Sequence, residues 1–196
     1  MKAEDRRAAT VDIVVSLAAQ GNPSEISTTA IAKEMGVTQG ALFKHFPTKD
    51  AILQAVIEWV SDKLLARLDK AASSANSPIA AIEAMFTAHI SFVSDYPGAP
   101  RMLFSELQRS KNSVPKKVAS SLLSSYSQRL QQLLKQGKEQ GQIDQDLDVA
   151  AASTLLIGMI QGLVMQSLLA NDIKQIQVEA PKVFTIFRRG IEASHD

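Results

Sequence analysis

The 196-residue chain contains no cysteine, which excludes disulfide staples, thiolate nucleophiles and every cysteine-ligated zinc or iron–sulfur centre. Histidine is nearly as scarce. His45, His89 and His195 lie far apart in sequence, so no compact metal motif forms, and neither a metal nor another cofactor is expected. Aromatic residues make up only 5% of the chain and β-branched runs are short, which argues against a sheet-built core. With a net charge of +1 the molecule offers no global field to a polyanion, so any nucleic-acid contact has to come from a local patch. There is no Gly-rich phosphate loop, no His-Glu-x-x-His pair and no paired catalytic carboxylates, so an enzyme is not expected. The opening residues, MKAEDRRAATVDIVVSLAAQG, are charged at once and lack a small-residue cleavage site after an apolar core. They do not read as a signal peptide, and a cytoplasmic location is expected.

What the chain does have is helix-forming sequence with helical spacing. Hydrophobic residues make up 45% and charged residues 21%, an ordinary globular balance. Val11, Val14, Leu17 and Ala18 mark one face of a first helix, and Gly21-Asn22-Pro23 stops it. Ser27 or Thr28 caps a second, ending at Gly36, where a left-handed backbone has no Cβ clash. Thr38 caps a short third helix that ends by Phe46, since Pro47 restricts the residue before it. From Thr48 a long helix follows, with Ile52, Val56, Val60, Leu64 and Leu68 recurring every four residues. To Ala72 it would measure about 36 Å at ~1.5 Å per residue. Further helices are expected over Pro78 to Asp95, over Ala99 to about Arg109, after Pro115 (Val118, Leu122, Tyr126, Leu130, Leu134), over Val149 to Asn171, and from Pro181 to residue 192. The class is all-α, with about nine helices: a three-helix head over residues 1–48 and a helical body over 49–196.

Residues 149 to 171 carry no charge at all, which meets the length of a membrane span, about 20 residues. The flanks have neither an aromatic belt nor a basic cluster, and the other helices are amphipathic. A buried helix is therefore preferred to a membrane-inserted one. Gly158 and Gly162, with Ala151 seven residues before Gly158, would let another helix approach closely. This points to a subunit contact in which 149–171 and the helix 181–192 build an intersubunit four-helix arrangement. Two other constellations carry no chemistry. Asp144, Asp146 and Asp148 have calcium-loop spacing, but Val149 and Leu155 stand where such a loop needs Gly and Glu. Ser113-Val-Pro-Lys116 has no companion motif.

The informative stretch is STTAIAKEMGVTQGALFKHFPTKDAIL, residues 27 to 53. It reads as two short helices joined by a turn at Gly36-Val37-Thr38 and held by Ile31, Ala32, Val37 and Leu42, which is helix-turn-helix geometry. The second helix begins small and polar (Thr38, Gln39, Gly40, Ala41), as a helix end entering a DNA major groove must. Gln39 suits adenine and Ala41 a thymine methyl, while Lys44, His45 and Lys49 cluster where phosphates would run. Six basic and six acidic side chains within residues 1–50 leave the head neutral overall. The bland alternative is therefore a solvated face on a helical protein-interaction module.

The spacing IA-x-x-x-GV-T-x-G-A-L-F-x-H-F-x-x-K resembles the TetR family of transcriptional regulators over about 45 residues, and the helical body is similar to that family's ligand and dimer domain. The resemblance implies a homodimer on a palindromic operator, released by a small-molecule effector. By position it puts Thr28 and Thr29 at DNA contacts and Thr38, Gln39, Gly40 and Ala41 on the recognition helix. It also puts His45 on the family's histidine, and Lys49 on a phosphate-binding lysine. Phe43 stands where the family usually has Tyr. Without a hydroxyl it cannot donate to a phosphate, so packing or apolar contact is expected of it. Candidates for lining an effector cavity are Trp59, Met85, Phe86, His89, Phe92, Met102, Phe104, Tyr126 and Met165, each of which could instead be plain core.

Overall fold

The computed structural model describes residues 3–108 and 113–193; Arg109 and His195 lie outside them. Among the described residues there are nine α-helices, one 3₁₀ turn and no strand. The helices are α1 (Ala3–Gln20), α2 (Thr28–Glu34), α3 (Gln39–Phe43), α4 (Lys49–Ser73) and α5 (Pro78–Asp95), then α6 (Gly98–Leu107), α7 (Val114–Glu139), α8 (Val149–Leu169) and α9 (Gln175–Ile191); the 3₁₀ turn is Pro23–Glu25. The all-α expectation and the helix count are met.

The chain forms two compact units. One comprises residues 1–63 and 96–121, the other 64–95 and 122–196. This differs from a division at residue 48, because α4 and α7 each contribute residues to both units. In the first unit, α1 packs along α6, α2 against α3 and α1, and α6 touches the 3₁₀ turn. The α1–α6 crossing is close at Gly98, where an added Cβ would lie 2.0 Å from the Val15 carbonyl oxygen. The apolar face expected on α4 is buried throughout: Ile52, Val56, Val60, Leu64 and Leu68.

In the second unit, α9 packs on α5 and α8. The α7–α8 loop closes on the end of α9 through Asp144 N–H to the Ile191 carbonyl and Ala193 N–H to the Gln142 carbonyl. The aspartate run in this loop works as a cap. Asp148 Oδ1 accepts from the N–H groups of Ala150 and Ala151, and Asp144 Oδ1 accepts from Asp146 N–H. No group of metal-ligating side chains occurs among the described residues.

Two expectations need correction. The last helix does not open at Pro181 but six residues earlier, at Gln175, with Pro181 inside it. Asp172 turns the chain by accepting from Lys174 N–H, and Ile176, Ala180, Phe184, Phe187 and Ile191 bury one continuous stripe. That burial outweighs the hydrogen bond the proline removes, and the Gln177 carbonyl that loses its donor belongs to an exposed residue. Val37 does not hold the helix pair together. It is exposed, and only its backbone N–H ties back, to the Ala32 carbonyl. Within one chain, α8 is covered on one side only. Ala152, Ser153, Leu156, Ile160, Leu163, Val164 and Ser167 are buried, while Ala151, Thr154, Leu155, Gly158, Gln161, Met165 and Leu169 form an exposed face. By length and composition alone α8 could cross a membrane, yet its buried Ser153 hydroxyl pairs with Ser127 of α7, while Ser167 bonds the Val164 carbonyl of α8 itself.

Candidate nucleic-acid interface

Helix α2 starts because Ser27 Oγ accepts from Ala30 N–H, and it ends at Gly36, whose φ of +66° favours glycine. Thr38 Oγ1 then accepts from Ala41 N–H and starts α3. Ile31, Ala32, Leu42 and Phe46 are the buried anchors of the pair. Helix α1 contributes Arg7, whose guanidinium donates to the His45 carbonyl at 2.9 Å and lies 4.5 Å over the Phe46 ring. The sequence reading missed Arg7, because nothing local shows that a residue 38 positions away fixes the end of α3.

This packing leaves the start of α3 bare. Thr38, Gln39, Gly40, Phe43 and Lys44 are exposed, as is Thr29; Ala41, His45, Lys49 and Thr28 are half-buried. Gln39 Nε2 donates to Thr28 Oγ1 at 2.6 Å, which brings the starts of α2 and α3 together on one surface. Lys49 Nζ sits 3.4 Å from the Ser24 carbonyl, at the edge of an open cleft of about 370 Å³ shared with Leu53, Met102 and Glu106. Gly40 is the informative residue. A Cβ there would meet no protein atom and alanine is the better helix former, so the fold has no use for this glycine.

The residues proposed for an effector cavity divide between the units. Trp59, Met102 and Phe104 belong to the first, Met85, Phe86, His89, Phe92, Tyr126 and Met165 to the second. Trp59 stacks edge-on against Tyr96 at 5.1 Å, with Lys63 Nζ 4.7 Å over its ring. Phe86 packs on Phe184 of α9, and Arg67 covers Phe92. His89 and Tyr126 stack together at 5.5 Å. Met165 does not join them: it is 43% exposed, on the outer face of α8.

Burial lowers the His89 pKa to about 4. Between pH 6.5 and 4 the unfolded chain therefore binds a proton the folded one refuses. Stability is expected to fall by about 2–3 kcal/mol as pH drops through that window, and to be unaffected by this group above it. Denaturant titrations at pH 4.5 and 7 should show the loss, and His89→Leu should remove it. Asp69, held below its usual range by the Arg129 guanidinium, loses its contribution only at lower pH.

A helix-turn-helix with a bare, small-residue recognition helix and basic side chains beside it defines a DNA-binding protein class. Residues 15–56 match the family model described as bacterial regulatory proteins, tetR family, and residues 78–180, more than half of the chain, match the tetracyclin repressor-like C-terminal domain. The chain belongs to the TetR family and is a DNA-binding transcriptional regulator; the family's regulators are soluble and generally non-enzymatic. Curated relatives include the nucleoid occlusion factors SlmA of Marinomonas sp., 24% identical over 163 residues and 83% of each chain, and of Shewanella amazonensis, 26% identical over 81% of this chain and 80% of the relative. The fold is similar to that of the transcriptional regulator FadR from Bacillus subtilis in complex with stearoyl-CoA (TM-score 0.82, 20% identity, 94% of this chain and 98% of that one). It is also similar to the ketosteroid transcriptional regulator KstR2 of Mycobacterium tuberculosis (TM-score 0.79, 19% identity, 96% of each chain).

Proposed function

We propose that the chain is a homodimeric repressor. Each copy lays α3 in a major groove of a near-palindromic operator, and a small molecule bound in the body releases the DNA. The observation that carries the DNA-binding half is the open space at Gly40 beside exposed Thr38, Gln39 and Lys44. Thr28, Thr29, Ala41, Phe43, His45 and Lys49 complete the proposed contact surface. Half-site centres about one helical turn, or a small multiple of it, apart suit two such helices. The dimer is supported by apolar surface that one chain leaves uncovered: Leu155 at 57% and Leu169 at 78% exposure on α8, Val178 at 61% and Ile186 at 73% on α9.

Release follows from the connections. Helix α4 begins at Lys49 and continues to Ser73, and α6 packs along α1 of the head, so a shift of either helix reorients α3. Coupling of ~1–3 kcal/mol suffices for 5- to 150-fold release. The similar folds that carry an acyl-CoA or are named for ketosteroids support an effector with a large apolar part. A reading as a nucleoid occlusion factor, after the curated relatives, differs in where DNA is occupied: mapping of sites on the genome would give many dispersed sites instead of one or a few promoters.

Gel shifts at several salt concentrations test the interface. Gly40→Ala is expected to raise or preserve thermal stability while weakening operator binding about tenfold or more, because the added methyl intrudes only on the DNA side. Equal affinity would remove α3 from the groove. Lys49→Ala is expected to weaken binding to every sequence and to reduce the salt slope by about one; an unchanged slope would take Lys49 off the phosphate. Gln39→Ala is expected to relax preference at one base position.

A further inference from the structure

Among the described residues of the second unit, two side-chain polar atoms are buried with no hydrogen-bond partner, His89 Nδ1 and the Tyr126 hydroxyl. They are carried by rings that face each other from α5 and α7, centroids 5.5 Å apart and planes tilted by 45°. One orphaned buried group is a cost to a fold; two on adjoining rings mark a place where something polar is missing. We propose that His89 and Tyr126 are the polar anchor of the effector site, and that the effector is a largely apolar, uncharged molecule bearing a hydroxyl or carbonyl oxygen. This rests on the ligand-responsive reading given above and specifies its chemistry.

The class of ligand follows from what surrounds the pair. Burial holds the imidazole neutral at pH 7 and pushes the phenol above its usual pKa, so neither ring brings a charge. The phenol donates, and the neutral imidazole presents Nδ1 as donor or acceptor according to its tautomer. A ligand hydroxyl accepts from Tyr126 and donates to His89; a carbonyl oxygen accepts from both. A carboxylate would meet only cations that are already committed: Arg67 of α4, whose guanidinium lies 5.5 Å over the Phe92 ring, is paired with Asp95 at 2.6 Å. Within one helical turn of either ring the only charged residue is Arg129, and its guanidinium is already bound to both Asp69 carboxylate oxygens, at 2.6 and 3.0 Å. The flanking positions on the two helices, Met85, Phe86, Phe92, Leu122 and Leu130, are buried and apolar, which suits the rest of such a molecule. His89 as a whole is only half-buried, so the pair is not sealed from the surface.

The test titrates the full-length protein with four probes that share one alkyl chain, 1-octanol, 2-octanone, octanoate and octylammonium. Affinity is followed by calorimetry and the His89 ring by its imidazole nitrogen resonances. The expected result is binding of 1-octanol or 2-octanone at least tenfold tighter than either ion, with the His89 signals shifted. Tyr126→Phe should bring that preference to within two- to threefold. In the ligand-free state the same variant should keep its Tm or raise it by about 2–4 °C, since it removes an unsatisfied hydroxyl. Octanoate binding as tightly as the neutral probes, an unaltered preference in Tyr126→Phe, or no binding of any probe would overturn the proposal. So would a Tm lowered by several degrees in that variant, which would mean that the hydroxyl has a structural partner. Operator affinity is measured separately. If the neutral probes bind through His89 and Tyr126 but the DNA complex is untouched, the anchor stands and the effector role of the body fails.

Discussion

Gly158→Glu is expected to split the dimer and to reduce operator affinity by about 10²–10⁴, the advantage lost when two tethered half-site contacts become one. A Cβ at Gly158 meets no atom of its own chain, and glutamate is the better helix former by a few tenths of a kcal/mol or more, so the isolated chain tolerates the change. The damage falls on the contact with a second copy, where an unpaired charge taken out of water costs several kcal/mol. The exposed face on which Gly158 lies, with Leu155, Met165 and Leu169, is the most apolar surface α8 presents, and Val178 and Ile186 on α9 are exposed as well. In the proposed homodimer, two such helices from each of two copies would build a four-helix arrangement. Sedimentation velocity checks the oligomeric state and a thermal melt checks that the chain is still folded. A variant that remains fully dimeric would exclude this face from the interface.

Gly98→Ala acts in the opposite way, on the chain itself. The new Cβ would fall 2.0 Å from the Val15 carbonyl oxygen and 2.9 Å from Ala19 N, both backbone atoms that no rotamer change can move. Helices α1 and α6 must separate. Overpacking of this kind costs about 1–3 kcal/mol and occasionally more, and the severity of the clash puts Gly98→Ala at the upper end. For a chain of this size that is about 6–12 °C in Tm. Because α1 also carries Arg7, which bonds the end of α3 through the His45 carbonyl, DNA affinity is expected to fall with the displaced α1. Calorimetric melts and a gel shift measure the two effects. A Tm within 2 °C of the parent would show that α1 and α6 do not cross as closely as described.

Most of the fold is legible in the sequence because its signals are local. Thr38, Thr48 and Asp148 cap helices where a side-chain oxygen is wanted, Gly36 takes the left-handed backbone at the end of α2, and Pro78 and Asp95 bound α5 as its composition suggests. Pro181 misleads because a proline reads as a helix start, whereas the buried stripe from Ile176 to Ile191 carries α9 straight through it. In α8 the absence of charge hides the amphipathicity. Its outer face carries Leu155, Met165 and Leu169 and no charge, so Met165 reads as a pocket or core residue although it is exposed. Gly98 leaves no trace in the sequence at all, since its reason is a helix 80 residues away.

The proposed DNA surface is legible for a different cause: the chemistry of groove entry asks for small and polar residues at one end of one short helix, and Thr38 to Ala41 display them in consecutive positions. The His89–Tyr126 pair is legible only as two residue types. Neither spacing nor periodicity shows that the two rings meet, or that Nδ1 and the hydroxyl both lack partners.

Selection of duplexes from a random-sequence library by the purified protein, with the number of chains per bound duplex determined by sedimentation, puts the whole scheme to one trial. Two chains on an enriched inverted repeat, with half-sites one turn or a small multiple of a turn apart, is the predicted result. Retention of duplexes without any enriched sequence, or a single chain on each, would contradict it.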